Sequence, residues 1–157
     1  MDPTRTKVSF LGHATCLLEI GGLRLITDPV LRDRVAHLHR HAPPPLSSQL
    51  LDIDVVLISH LHHDHFDRGS LRDLAGSRPT VFAPSGSRKH LLGLGIESVH
   101  ELTVGQTVQF NGVQITATHA QHDGRRMPWQ QAAGTLGFVV EQRERIYFAG
   151  DTDIFDG

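Results

Sequence analysis

The sequence has little with which to cross-link itself. Its one cysteine, Cys16, excludes an internal disulfide and fits a reducing compartment. Taken as a small apolar residue, Cys16 belongs in the interior. No apolar run approaches the ~20 residues that a membrane-spanning helix needs. Met1-Asp-Pro-Thr-Arg-Thr-Lys7 leads into a strand-like segment without a secretory leader. These absences predict a cytoplasmic protein. An excess of one charge is also missing. The net charge is −2 with neutral histidine, and basic or aromatic clusters are lacking, which argues against a nucleic-acid partner. No Ser-His-Asp or Cys-His pattern suggests a side-chain nucleophile. What remains is 157 residues, 39% hydrophobic and 20% charged, as expected of one globular domain with a real core.

Histidine is what the chain has in abundance. There are 12, and four of them fall in His60-Leu-His-His-Asp-His65. Read as His60-x-His62-x-Asp64-His65, the hexapeptide sets three imidazoles and a carboxylate within six positions. Such donors suit a borderline divalent cation such as zinc. In an extended segment residues two apart point to the same side, so His60 and His62 can reach one ion while Asp64 and His65 point to a neighbouring position. A solvated polar loop opening a helix explains one or two of these residues, not all four. A shuffled chain of this composition shows the pattern in roughly half a per cent of draws, so other ligands and a suitable scaffold are needed to decide. His63 faces away from its neighbours. His37, His39 and His41 alternate before Pro43-Pro44-Pro45 and are read as loop residues. His90 and His100 are given no role.

The hexapeptide follows Val55–Ser59, a short, almost wholly apolar segment of the kind buried on both faces of a sheet. Strands are predicted at 8–11, 16–20 and 23–27, with Gly21-Gly22 as a hairpin turn. Residues 29–50 read as a surface loop or lid with a helical turn. A helix over 68–75, a strand over 80–83 and a helix capped by Ser85 and running to Leu92 come next. Further strands are placed at 98–100, 107–110, 113–118, 135–141 and 145–149, with Asn111-Gly112 as a turn and 121–133 as a loop. The order suggests a sheet covered by helices on its outer face.

Four segments carry a family likeness: Phe10-Leu-Gly-His-Ala-Thr15, Leu25-Ile-Thr-Asp-Pro-Val30, Ser59-His-Leu-His-His-Asp-His-Phe-Asp67 and Tyr147-Phe-Ala-Gly-Asp-Thr152. Through them the chain resembles the metallo-β-lactamase-fold hydrolases. The nearest branch includes N-acyl-phosphatidylethanolamine-hydrolysing phospholipase D and L-ascorbate-6-phosphate lactonase relatives. Pro43-Pro-Pro45 and Ala120-Gln-His122 strengthen the phospholipase-like match. The resemblance implies an α+β fold, the αββα sandwich, and a hydrolase working through one or two zinc ions, with manganese or iron(II) as alternatives. It implies His60, His62 and His122 as ligands of a first metal, with His119 the competitor for the third place. Asp64 and His65 resemble ligands of a second metal, and Asp151 the carboxylate that bridges both, since two close dications repel and need negative charge between them. Alone, Gly150-Asp151-Thr152 reads as an ordinary turn. Asp28 resembles an acid that orients a metal-binding histidine rather than a ligand, with an ordinary strand-ending aspartate before Pro29 as the equal alternative. His13, in a glycine-flanked turn, is placed beside the ligands and facing the pocket, with an ordinary turn histidine as the equal alternative. Asp64 is the residue expected to orient the attacking hydroxide.

The same likeness implies one more histidine ligand on a later segment, and none follows Asp151 in residues 152–157. The expectation is a single domain over 1–157, the N-terminal and central part of the sandwich without its second half. An exposed edge or apolar face on such a unit favours a homo-oligomer. The expected substrate is a small molecule, a phosphodiester or a lactone or ester, with Arg125 and Arg126 read as loop residues able to face an anion. The competing expectation is a non-catalytic metal-binding half-domain that dimerises or needs a completing chain.

Overall fold

A hairpin opens the fold. Strands β1 (Lys7–Gly12) and β2 (Thr15–Ile20) run antiparallel, and β3 (Leu23–Thr27) continues the meander. The structure, a computed structural model, describes residues 5–35, 38–41, 43–123 and 134–154. Next come a two-residue pair, β4 (Arg34–Val35) with β5 (Leu38–His39), and a helical turn at Ser47–Gln49. These lie in the stretch read as a loop with a helical turn. Strand β6 (Val55–Leu57) then enters beside β3, in parallel. It is followed by α1 (Arg68–Leu74), β7 (Thr80–Pro84), α2 (Arg88–Leu92) and β8 (Ser98–Leu102). The order β1-β2-β3-β6-β7-β8 makes one mixed sheet. Strands β9 (Thr107–Phe110), β10 (Val113–His119), β11 (Leu136–Glu141) and β12 (Arg145–Phe148) form a second, wholly antiparallel sheet in the order β12-β11-β10-β9.

Alternation along the strands divides the core in two. Leu18, Ile20, Leu25, Val55 and Leu57 point from the first sheet onto Val113, Ile115, Phe138 and Val140 of the second. Leu17, Ile26, Val56 and Val81 point the other way, onto Leu71 and Leu74 of α1 and Leu91 of α2. Strand β6 is therefore apolar at every position because both its faces are covered, as its sequence indicated. Helix α1 begins where Asp67 accepts the backbone N–H of Ser70 at 2.8 Å, a cap worth about 1 kcal/mol. Asn111 and Gly112 both have positive φ, 46° and 83°, the signature of the tight hairpin turn joining β9 to β10.

Two expectations need correction. Helix α2 starts at Arg88 rather than at a Ser85 cap. Ser87 N–H closes a turn on the Pro84 carbonyl at 3.2 Å, and Gly86 sits at φ 89° inside it, so a helix can begin only beyond. Cys16 is half-buried at the border of the inter-sheet core rather than enclosed. Helices cover the outer face of the first sheet, and among the described residues none lies on the outer face of the second. That second face is not apolar. Thr107, Gln109, Gln114, Thr116, Thr118, Glu141 and Arg145 line it, with only Val139 and Tyr147 adding apolar bulk. No helix among the described residues is long and apolar enough to cross a membrane.

Candidate metal centre

The hexapeptide leaves the carboxyl end of β6. Ile58 N–H still bonds across to the Phe82 carbonyl at 2.9 Å, and then the chain turns. His65 and Phe66 both donate their N–H to the His62 carbonyl, at 3.1 and 2.7 Å. Asp64 and His65 thus belong to a turn of their own, three residues before α1 begins, rather than to the helix start. The turn brings the side chains of His60, Asp64 and His65 to one place.

His60, His62 and His122 converge there. The His60 ring centroid is 4.6 Å from that of His62 and 4.8 Å from that of His122. His122 Nε2 lies 3.1 Å from His62 Nδ1. The two segments are 60 residues apart in sequence and come from different sheets. His119, three residues before His122, closes β10 opposite Leu136. The three clustered rings each offer a nitrogen within 4.8 Å of the others. His63 is exposed, as are His39 and His41; His37, Arg125 and Arg126 lie outside the described residues.

A second group lies beside the first. His65 Nε2 is 3.2 Å from Asp151 Oδ2 and 3.7 Å from Asp64 Oδ2, and His13 Nε2 is 3.1 Å from Asp64 Oδ2. Asp151 reaches the group because its loop is tied to that of His122. Gln121 donates its N–H to Thr152 Oγ1, and its carbonyl accepts from Asp153 N–H, both at 3.0 Å. Gly150 makes the approach possible. At φ 62° it sits where a Cβ would lie 2.7 Å from the Ser59 Cβ.

Asp28 holds both groups from beneath. It is fully buried after β3, in the left-handed region at φ 32°, which is uncommon for a residue preceding proline. Its carboxylate accepts the Ser59 N–H at 2.7 Å, the Ser59 hydroxyl at 2.5 Å and His65 Nδ1–H at 2.7 Å. Having given its proton to Asp28, the Ser59 hydroxyl accepts from His60 Nδ1–H at 2.9 Å. Both rings are then protonated on Nδ1, which leaves each Nε2 with a lone pair. Burial pushes the Asp28 carboxyl up, and the bonds from His65 and Ser59 pull against it. For His65, burial pulls down, but the hydrogen bond and charge of Asp28, with Asp151 and Asp64, outweigh it and leave the ring raised. His60 is held down at about 3, first by burial and then by the neighbouring rings of His65, His62 and His122. Burial raises Asp64, but His65, its own backbone and His13 more than reverse this, so it stays ionised.

Whether these residues suit a cation can be judged from the orphaned atoms. His60 Nε2 and His65 Nε2 are buried and make no hydrogen bond. A buried nitrogen lone pair without a donor is unfavourable, and a divalent cation at each group would satisfy them. The donor set, imidazole and carboxylate, suits zinc, manganese or iron. The sequence did not single out Ser59, Gln121 or Thr152. Ser59 adjoins the hexapeptide, but nothing local marks a serine as a relay between a carboxylate and an imidazole.

A family model described as a beta-lactamase superfamily domain matches residues 23–157. The chain is 33% identical to the N-acyl-phosphatidylethanolamine-hydrolyzing phospholipase D 1 of Caenorhabditis elegans, over 94% of this chain and 47% of that protein. It is 34% identical to a UPF0173 metal-dependent hydrolase of Rubrobacter xylanophilus, over 96% of this chain and 62% of the relative. It therefore spans about half to three-fifths of the length of these curated relatives. In fold it matches a metallo hydrolase, Igni18, from Ignicoccus hospitalis, with a TM-score of 0.75 at 21% identity over 96% of this chain and 62% of that one. The two packed sheets with helices on the first are thus the N-terminal and central part of the αββα sandwich, and the chain belongs to the beta-lactamase superfamily.

Proposed function

We propose that the chain is the metal-holding part of a hydrolase, a single domain over 1–157 that represents an incomplete αββα unit. His60, His62 and His122 would hold one cation, and Asp64, His65 and Asp151 a second, with Asp151 between them. When bound, zinc supplies Lewis acidity and brings a water's pKa towards neutrality, with manganese or iron(II) the alternatives. Asp28 and Ser59 keep the His65 and His60 rings in the tautomer that leaves Nε2 bare. Asp64, part-exposed and ionised, orients the attacking water and accepts its proton. The observation that carries this reading is the pair of buried, unbonded Nε2 atoms of His60 and His65 beside the other donors. The substrate we favour is a small phosphodiester, in keeping with the phospholipase D activity for which the nematode relative is named, with a lactone or ester next. A cytoplasmic setting and a homo-oligomeric state complete the proposal.

A second reading, a metal-binding module without turnover, draws on the part-length match to the relatives. Metal content per chain and turnover of a generic phosphodiester such as bis(p-nitrophenyl) phosphate separate the two. The hydrolase reading expects bound metal and turnover, with most metal lost in His62→Ala and kept in His63→Ala. Metal without turnover, with zinc or manganese supplied, favours the module. Equal retention of metal by the two variants refutes the ligand assignment.

A further inference from the structure

We infer that His13, from the turn between β1 and β2, is a direct ligand of the second cation, completing a set with Asp64, His65 and Asp151. The inference rests on the two-cation reading above and adds to it a residue from the far end of the sequence. His13, Asp64 and His65 each offer a ligand atom within 4.8 Å of the others. Neighbouring ligands on a cation with bonds of about 2.0–2.2 Å are separated by roughly 2.9 Å at right angles and 3.5 Å at the tetrahedral angle. The observed edges are 3.1 Å from His13 to Asp64, 3.2 Å from His65 to Asp151 and 3.7 Å from His65 to Asp64. The edge between His62 and His122 in the first group is also 3.1 Å.

Two independent features point the same way. The wholly buried His65 carries its lone pair on Nε2 and makes no hydrogen bond there, so a vacant acceptor faces this group. The His13 turn is also fixed rather than free to swing. Thr27 Oγ1 donates to the Ala14 carbonyl at 2.8 Å and accepts Cys16 N–H at 2.9 Å. Thr15 Oγ1 donates to the Asp28 carbonyl at 2.7 Å, which ties the same turn to the acid beneath both groups. The side chain is half-exposed, so its replacement leaves the core intact.

The competing role for His13 is that of an N–H donor to Asp64, outside the ligand set. Cobalt(II) titration of the full chain, followed by metal analysis and by the visible absorption of the bound ion, separates the roles. Wild type should bind two ions, and His62→Ala should lose the first. His13→Ala and His13→Gln should both keep the first ion at unchanged affinity. Both should weaken the second by more than the roughly 10–100-fold that follows loss of a hydrogen-bond partner of a ligand, and both should change its absorption. Glutamine keeps an N–H donor without an imidazole. Rescue by His13→Gln, or an unchanged second ion in His13→Ala, overturns the inference and leaves the hydrolase reading intact. A wild-type chain holding one ion, lost in His62→Ala, overturns the inference together with the second-cation part of the reading above, and leaves the first ligand set standing. A wild-type chain that binds no cobalt refutes the parent reading itself.

Discussion

His60 is the residue on which most of the site's constraints meet. Its ring is buried, takes its Nδ1 partner from Ser59, and packs against three other imidazoles. A histidine held down at about 3 when folded, against about 6.5 when unfolded, stays neutral in the native state while the unfolded chain takes up its proton. Its contribution is therefore fully present above about pH 6.5 and is lost as the pH falls from there towards 3. With metal removed by chelation, urea unfolding of wild type and His60→Gln should diverge across that window. The wild type should lose up to about 1.4 kcal/mol per pH unit relative to the variant. Parallel curves would show that the ring is not buried neutral. Much at this scale was readable beforehand. The spacing His60-x-His62-x-Asp64-His65 is local, and the segments holding Asp28, His122 and Asp151 were identified through the family resemblance. The relay from Asp28 through Ser59 was not, because it joins residues 31 apart through a hydroxyl whose partners only the fold supplies.

At the level of elements, the site is assembled from the ends of strands. β3 delivers Asp28, β6 the hexapeptide, β10 His122 and β12 Asp151. The seam is close where Gly150 meets Ser59, whose carbonyl also accepts the Leu136 N–H at 2.9 Å from the opposite sheet. Gly150→Ala should cost about 2–4 kcal/mol, from the left-handed backbone and the forced contact together. Gly86→Ala, at φ 89° with open space around it, should cost about 1–2 kcal/mol for the backbone alone. Chemical denaturation of both variants measures the difference, and equal costs would remove the close approach to Ser59 as the reason for glycine. Strand positions were legible because apolar alternation and turn residues are short-range signals. The start of α2 was not, since a serine reads as a cap wherever it precedes a helix-like run, and Gly86 decided the matter through backbone geometry.

For the molecule as a whole, the layers are unequal. Among the described residues six strands face four, and β1 overhangs the second sheet. Val8 pairs with Leu18 and Phe10 with Cys16, so both continue the face that elsewhere packs between the sheets, yet they are 55% and 67% exposed. An uncovered apolar pair on an edge strand favours self-association. Sedimentation at rising concentration should show a monomer–oligomer equilibrium that Phe10→Lys shifts to monomer. A wild type that stays monomeric throughout would remove the expectation. The incomplete sandwich implied by the resemblance had offered an exposed edge or an apolar face as the source of association; with threonines and glutamines outside the second sheet, the overhanging edge is the better candidate. The placement of His62 after a strand of one sheet and His122 after a strand of the other has a mechanical side. An ion seated there is gripped like a bolt through two plates, and its coordination is only as good as the gap between them. The hydrocarbon filling at Val55, Leu57, Val113 and Ile115 then becomes a set of shims, and trimming one methyl group far from any ligand would register as a change in the hold on the ion.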